Sequence, residues 1–204
     1  MYSPKPFVID DQSVIDEIIK GNPFAILLSN DRTITHLPVN KFGDGKLYGH
    51  CARANGHAQL DNGDQVTAIF SGPHAYISPA YYRSEFNVPT WNYAAVHCYS
   101  NINYIDEETV VWELFKEMVA IYEGKDGWKL PEEERFKSLL KGIRFFELCN
   151  PRYEAKSKFN QNKTADDVIS VISHLRTINP EAASFMVSAN KTLHTDALTR
   201  AGEL

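Results

Sequence analysis

The sequence predicts one α+β domain, a mostly antiparallel, barrel-like sheet with peripheral helices and a helical C-terminal tail. Three observations lead there. Strand-length apolar runs between residues 24 and 78 are separated by Asn-Asp, Gly-Asp-Gly and Asn-Gly-Asp turns, whose residues accept positive φ and close hairpins. A long alternating run covers 90–105, the two-residue period of a strand. From 107 onward apolar residues recur at the three-and-four spacing of helices packed on a core.

Taken in order, Val14, Ile15, Ile18 and Ile19 give 13–20 one apolar face, and Gly21 and Pro23 end that helix. Residues 24–29, 33–39, 46–50 and 65–71 read as strands, with 75–78 a shorter one. Within 90–105, alternation sets Trp91, Tyr93, Ala95, His97 and Tyr99 on one face and Asn92, Ala94, Val96, Cys98 and Ser100 on the other. Both faces are partly apolar, which predicts a strand covered on both sides. A helix over 107–122 stops at Gly124, and Pro131 ahead of Glu132, Glu133 and Glu134 predicts a second helix start. Residues 143–148 predict another strand, leading into a basic stretch around Lys156 and Lys158. Thr164 opens the final helical region, with Asp166 and Asp167 in its first turn, and Pro180 restarts it.

Composition narrows the function classes. The 204 residues are 43% hydrophobic and 23% charged, which excludes collagen, coiled coil and wholesale disorder. A formal charge of −5 opposes any role resting on non-specific attraction to nucleic acid or anionic lipid. No apolar run approaches the ~18 residues of a membrane span, and Met1-Tyr2-Ser3-Pro4-Lys5-Pro6 lacks the pattern of a secretory signal, so a cytoplasmic protein is expected. Cys51, Cys98 and Cys149 form no CxxC, which suits buried free thiols better than a disulfide framework or a thiolate zinc site. Walker A, GxGxxG, HExxH and GxSxG are absent.

Four features are candidates for chemistry. Nine of the 35 residues from Phe70 to Tyr104 are aromatic, against roughly four expected from the chain average. This is either an ordinary aromatic core or interface, or a rigid wall for a planar ligand. Five histidines, His36, His50, His57, His74 and His97, lack the close pairing of a metal site, and a lone histidine also suits haem ligation. In His50-Cys51-Ala52-Arg53-Ala54-Asn55 a strand gives way to a turn, where backbone N–H groups and the Arg53 guanidinium suit a phosphate; a solvated arginine is the alternative. Residues 141–163 carry six Lys or Arg against two Glu, either a solvated face or a site for an anion.

Six blocks occur in order: Met1-Tyr2-x-Pro4-x-x-Phe7, Asn22-Pro23-Phe24-Ala25, Thr35-His36-Leu37-Pro38, Gly49-His50-x-Ala52-Arg53-Ala54-Asn55, Phe70-x-Gly72-Pro73-His74-Ala75-Tyr76-Ile77-Ser78-Pro79 and Val88-Pro89-Thr90-Trp91-Asn92-Tyr93-Ala94-Ala95-Val96-His97. With Gln161-Asn162-Lys163 as a late motif, the chain resembles the PaiB family of FMN-binding negative transcriptional regulators. The resemblance implies a split β-barrel of the pyridoxamine-phosphate-oxidase and flavin-reductase type over 1–163, a helical extension over 164–204, and a homodimer with FMN at its interface. It implies that Thr35 and His36 lie along the flavin and that His50, Arg53 and Asn55 surround the phosphate. Trp91, Asn92, Tyr93, Lys158, Gln161 and Asn162 would then close the pocket from the partner subunit. Gly56 replaces a usual proline, which predicts a looser turn, and Phe159-Asn160 replaces a usual Leu-Ser. No residue is singled out as an obligatory acid, base or nucleophile. The resemblance implies a transcriptional regulator or redox-sensing protein, yet no helix-turn-helix is evident and the net charge does not support DNA binding. A flavin-dependent oxidoreductase is the alternative function, and haem binding is a third.

Overall fold

Turn chemistry and strand alternation produce seven strands and six helices in the computed structural model, which describes residues 1–204. In chain order these are β1 (Val8–Ile9), α1 (Gln12–Gly21), β2 (Phe24–Ser29), β3 (Ile34–Lys41), β4 (Leu47–Ala52), β5 (Gln65–Ile77), β6 (Thr90–Ile105), α2 (Glu108–Glu123), α3 (Glu134–Leu139), β7 (Ile143–Lys158), α4 (Ala165–Ile178), α5 (Pro180–Asn190) and α6 (Thr195–Arg200). The sheet order is β1-β7-β4-β3-β2-β5-β6, and β7 also pairs with β6. Strands β2 to β7 therefore close into a six-stranded antiparallel barrel, the split-barrel architecture, with helices around it. Closure removes the open edges that a sheet of this length would otherwise expose.

Positive φ falls on Gly45 and Gly63, in two of the turns that the sequence predicts, whereas in the Asn30-Asp31 hairpin it falls on Arg32. Asp31 explains this, because its carboxylate accepts from the Thr33 N–H and hydroxyl and fixes the turn around Arg32. Two predicted breaks are absent. Strand β5 runs through Gly72-Pro73 to Ile77 without interruption, so 65–71 and 75–78 are one strand. A Cβ on Gly72 would lie 3.0 Å from the Ala94 Cβ and 3.2 Å from its carbonyl oxygen, so this glycine permits a close approach and does not form a turn. Strand β7 likewise continues past Leu148 to Lys158, taking the Asn150-Pro151 step with Asn150 at φ 52°. The acidic run after Pro131 does not begin a helix at the proline. Glu133 is still extended and α3 starts at Glu134.

The chain divides into two compact units. The central unit comprises Ile19–Phe70 and His97–Tyr153. Its strands pair in antiparallel register, Ile26 opposite His36 and Ile69, and Gly49 opposite Val39 and Phe146. Its core is formed by Ala25, Leu27, Val39, Phe70, Phe145, Phe146 and Leu148. The terminal unit comprises Met1–Ile18, Ser71–Val96 and Glu154–Leu204. Here the apolar stripe of α4, Val168, Val171, Ile172 and Leu175, packs against α5 beside Met186 and Phe159. Thr164 caps α4 by accepting from the Asp167 N–H, as its position predicts. No helix is long and apolar enough to cross a membrane.

Candidate functional site

The predicted phosphate turn lies in the central unit, where β4 ends and a short 3₁₀ turn, Gly56–Gln59, begins. Asn55 caps that turn. Its Oδ1 accepts from the His57 N–H at 2.9 Å and lies 3.1 Å from the Thr35 hydroxyl. Thr35 is also 2.8 Å from His57 Nδ1, so β3 and the turn are held together by one polar cluster. His57 is fully buried, and its carbonyl accepts from the Tyr104 hydroxyl. Gly56 has no positive φ, and a Cβ there would lie 3.1 Å from the Thr33 methyl. The turn is thus held by its cap, whatever looseness the missing proline introduces.

Arg53 leaves the turn with its Nε donating to the Lys141 carbonyl at 2.9 Å and its guanidinium 3.7 Å from Asp106. Both side chains are about half exposed, so this ion pair is weak. Arg144 contacts the same carboxylate at 3.2 and 3.3 Å and donates to the Ala58 carbonyl. A cavity of about 490 Å³ opens beside Arg53; its wall carries Lys137 and Lys141, with Trp112 and Ile143, but also the carboxylates of Asp106, Glu108, Glu113 and Glu134. The backbone N–H groups of Arg53 and Asn55 are spent on the Gly142 and Ala52 carbonyls. Those two amides are therefore closed to an anion. A guanidinium and an outward amide NH₂ are donors of the kind a phosphate takes. His50 lies back on β4, stacked on Phe145 at 5.1 Å, with Nδ1 buried and unpartnered. Burial holds its pKa below the usual histidine value. His36 is exposed on β3, its ring 6.1 Å from Phe24.

The second predicted group lies in the terminal unit, and its members divide between two faces of β6. Trp91 is 54% exposed, with His74 and Tyr76 around its ring at 5.6 and 6.3 Å. Tyr93 points the same way beneath the Lys156 ammonium. Asn92 points inward, is completely buried, and has neither amide atom hydrogen-bonded. It does not share a surface with Trp91 and Tyr93, as strict alternation requires. Lys158 donates to the Thr90 hydroxyl and to the Trp91 carbonyl. Burial and the neighbouring Lys156 charge push its pKa down. Gln161 folds onto its own backbone, donating to the Ser157 carbonyl and accepting from the Phe159 N–H, while Asn162 is exposed. A cavity of about 580 Å³ beside Gln161 is bordered by Asp10, Asp11, Glu17 and Glu181, which does not suit an anion.

The basic stretch has a structural partner that its charge did not reveal. Arg144, Arg152, Lys156 and Lys163 lie over the rings of Tyr104, Tyr99, Tyr93 and Tyr82, at 3.6, 4.3, 5.0 and 5.2 Å. Much of the aromatic excess and much of the local positive charge are therefore one feature, a set of cation–π pairs. Two further residues have roles that the sequence does not assign. Asp167 is buried and accepts from the Arg83 N–H, the Ser84 N–H and the Ser84 hydroxyl. Burial alone would raise its pKa, but those hydrogen bonds and one from Thr164 outweigh it and the net shift is downward. His57 is the other; only the Asn55-x-His57 spacing of a capped turn marks it. The three cysteines carry no disulfide, and burial raises each thiol pKa, that of Cys98 to about 12, which makes them poor nucleophiles.

A closed six-stranded antiparallel barrel with helices around it defines a protein of the split-barrel fold class. Solved structures agree on the fold. The flavocytochrome Anf3 from Azotobacter vinelandii is similar with a TM-score of 0.60 at 17% identity, covering 74% of this chain and 69% of that one. The FAD and heme binding protein from Mycobacterium smegmatis is similar with a TM-score of 0.57 at 12% identity, covering 74% and 73%. Residues 1–149 match the family described as "Putative FMN-binding domain". Protease synthase and sporulation protein PAI 2 of Bacillus subtilis (strain 168) is 32% identical over 193 residues, 89% of this chain and 93% of that protein. An uncharacterized protein of Emericella nidulans is 26% identical over 83% of this chain and 88% of its own length. The chain belongs to this FMN-binding family, the PaiB family of the sequence resemblance.

Proposed function

We propose that the chain binds FMN as a homodimer and works as a flavin-dependent redox or sensing protein of the PaiB type. The observation that carries this reading is the turn after β4, where Thr35, Asn55 and His57 are tied into one polar cluster that leaves the Asn55 NH₂ outside it, two residues from the half-exposed Arg53 guanidinium. When bound, FMN supplies the redox chemistry; Arg53 and Asn55 hold its phosphate, and Thr35, His36 and His50 line the path of its ribityl chain and ring. Exposed apolar side chains on strands, Phe24, Ile34, Tyr76 and Trp91, supply surface for a second copy. Trp91, Tyr93, Lys158 and Asn162 of that copy would then border the flavin.

Direct repression of DNA has less support, because four cations of the basic stretch are committed to tyrosine rings and the net charge is −5. The test is flavin titration followed by fluorescence, beside sedimentation for the oligomeric state. FMN should bind more tightly than riboflavin, and Arg53→Ala should weaken FMN by about tenfold or more while sparing riboflavin. A purified protein that takes up neither flavin would refute the reading; one that takes up haem instead, through an exposed His36 or His74, would replace it.

A further inference from the structure

The cluster around Thr35 has a proton inventory that one tautomer of His57 satisfies at every contact. Asn55 Oδ1 accepts from the His57 backbone N–H, and only an oxygen can do so, which fixes the amide with its NH₂ turned away. The Thr35 hydroxyl lies 3.1 Å from that same oxygen. An amide oxygen has no proton to give, so Thr35 donates, and its single proton is spent. With that donation, the remaining contact, 2.8 Å between Thr35 Oγ1 and His57 Nδ1, takes Nδ1–H as donor; the reverse direction would turn the Thr35 proton onto Nδ1 and leave Oγ1 facing Asn55 Oδ1 without one. His57 is accordingly the Nδ1–H tautomer with a bare Nε2, and Nε2 is buried without a partner. Burial keeps the ring neutral, opposed in part by the Asp31 carboxylate.

A buried imidazole with one nitrogen unpaired carries a cost that a packing role alone does not explain. We propose that His57 is a positioning residue of the anion site: its Nδ1–H orders Thr35, Thr35 orders Asn55 Oδ1, and the Asn55 NH₂ is thereby held outward toward a phosphate. This rests on the reading that the turn binds the flavin phosphate. The relay runs entirely through neutral groups, so it orients the donor without bringing a negative charge near the anion. Thr35 acts as the middle member of a chain linking β3 to the turn, in addition to any contact of its own with the flavin.

Two measurements test it. In the ligand-free full chain, imidazole nitrogen shifts by NMR should show His57 protonated at Nδ1 and bare at Nε2; the opposite tautomer overturns the proposal whether or not flavin binds. Separately, FMN and riboflavin are titrated into the wild type, His57→Leu, His57→Asn and His57→Gln, with far-UV circular dichroism confirming the fold. His57→Leu should lose about tenfold in FMN affinity with riboflavin little changed. His57→Asn should recover most of the loss, because its amide NH₂ reaches the position of Nδ1, whereas Gln, which mimics Nε2, should not. Equal losses for both flavins, or rescue by Gln as good as by Asn, would reduce His57 to a packing residue. If the wild type and Asn55→Ala differ in their FMN preference but His57→Leu does not, the positioning role fails while the phosphate site stands. If the wild type prefers neither flavin, the phosphate reading itself fails, and this proposal with it.

Discussion

Replacing Asp167 by alanine should release the segment that leads into β6. The carboxylate accepts at 2.8 Å from the Arg83 N–H, 2.9 Å from the Ser84 N–H and 2.8 Å from the Ser84 hydroxyl, and it is 2% exposed. Hydrogen bonds to a charged acceptor contribute about 1.5–3 kcal/mol each when no water replaces them. Arg83 and Ser84 are exposed, so water recovers part of each, and about 1 kcal/mol per bond is the better figure. The carboxylate also sits in the first turn of α4, where the helix dipole adds roughly 0.5 kcal/mol. The sum, about 3–4 kcal/mol, corresponds to a fall of roughly 6–16 °C in Tm for a chain of this size. Asp167→Asn keeps one acceptor oxygen and should lose about half as much. Thermal unfolding by circular dichroism measures the total, and hydrogen exchange at the Arg83 and Ser84 amides locates it. A melting point within about 2 °C of wild type for the alanine variant, or unchanged exchange at those amides, would show that the carboxylate does not hold this segment.

Gly49→Ala should destabilise by about 1–3 kcal/mol or more, since its Cβ would lie 2.6 Å from Phe146 Cζ and 3.1 Å from the Pro38 carbonyl oxygen, and Phe146 is fully buried. Adding Phe146→Leu should recover part of that in denaturant titrations, and no recovery would put the strain elsewhere. Stability should also fall on mild acidification. Burial lowers the pKa of His50 and His57 from 6.5 in the folded chain, so the unfolded chain binds protons first as pH falls through 6.5, and stability present above that value is lost below it. Asp167, lowered from 3.8, contributes stability above 3.8 that is lost only as pH falls below it. Urea midpoints that stay level from pH 7.5 to about 5 would contradict the histidine assignment.

Much of the barrel is legible from local chemistry, because hairpin turns and strand periods are local properties. Gly45, Gly63 and Thr164 do what their positions predict. What the sequence misreads are residues whose reason lies on another strand. Gly72-Pro73 carries a turn signature, yet glycine is there for the approach of Ala94. Asn150-Pro151 resembles a strand end, yet β7 continues through it with Asn150 in the left-handed region that asparagine tolerates. In the candidate site, the strand-to-turn junction at Arg53 and Asn55 was legible, because Asn and Gly after an apolar strand favour a turn. Asn92 was drawn in by its neighbours in the motif, although alternation already set it on the opposite face. His57 stayed hidden, since nothing in a sequence tells a buried imidazole held by a threonine 22 positions away from any other core histidine.

The cation–tyrosine pairs have one more consequence. A strand displaced by one residue would turn its buried face outward, and the apolar pattern alone forbids that. A displacement by two keeps every side chain on its own face, and in strands as long as β6 and β7 the apolar pattern discriminates poorly against it. Such a slip would carry Arg144, Arg152 and Lys156 off Tyr104, Tyr99 and Tyr93, forfeiting about 0.5–1 kcal/mol at each. The spacing of the three pairs thus works as a vernier between the two strands. The positive charge of β7 that suggested a recruiting surface for an anion is better understood as an alignment code written into the barrel wall.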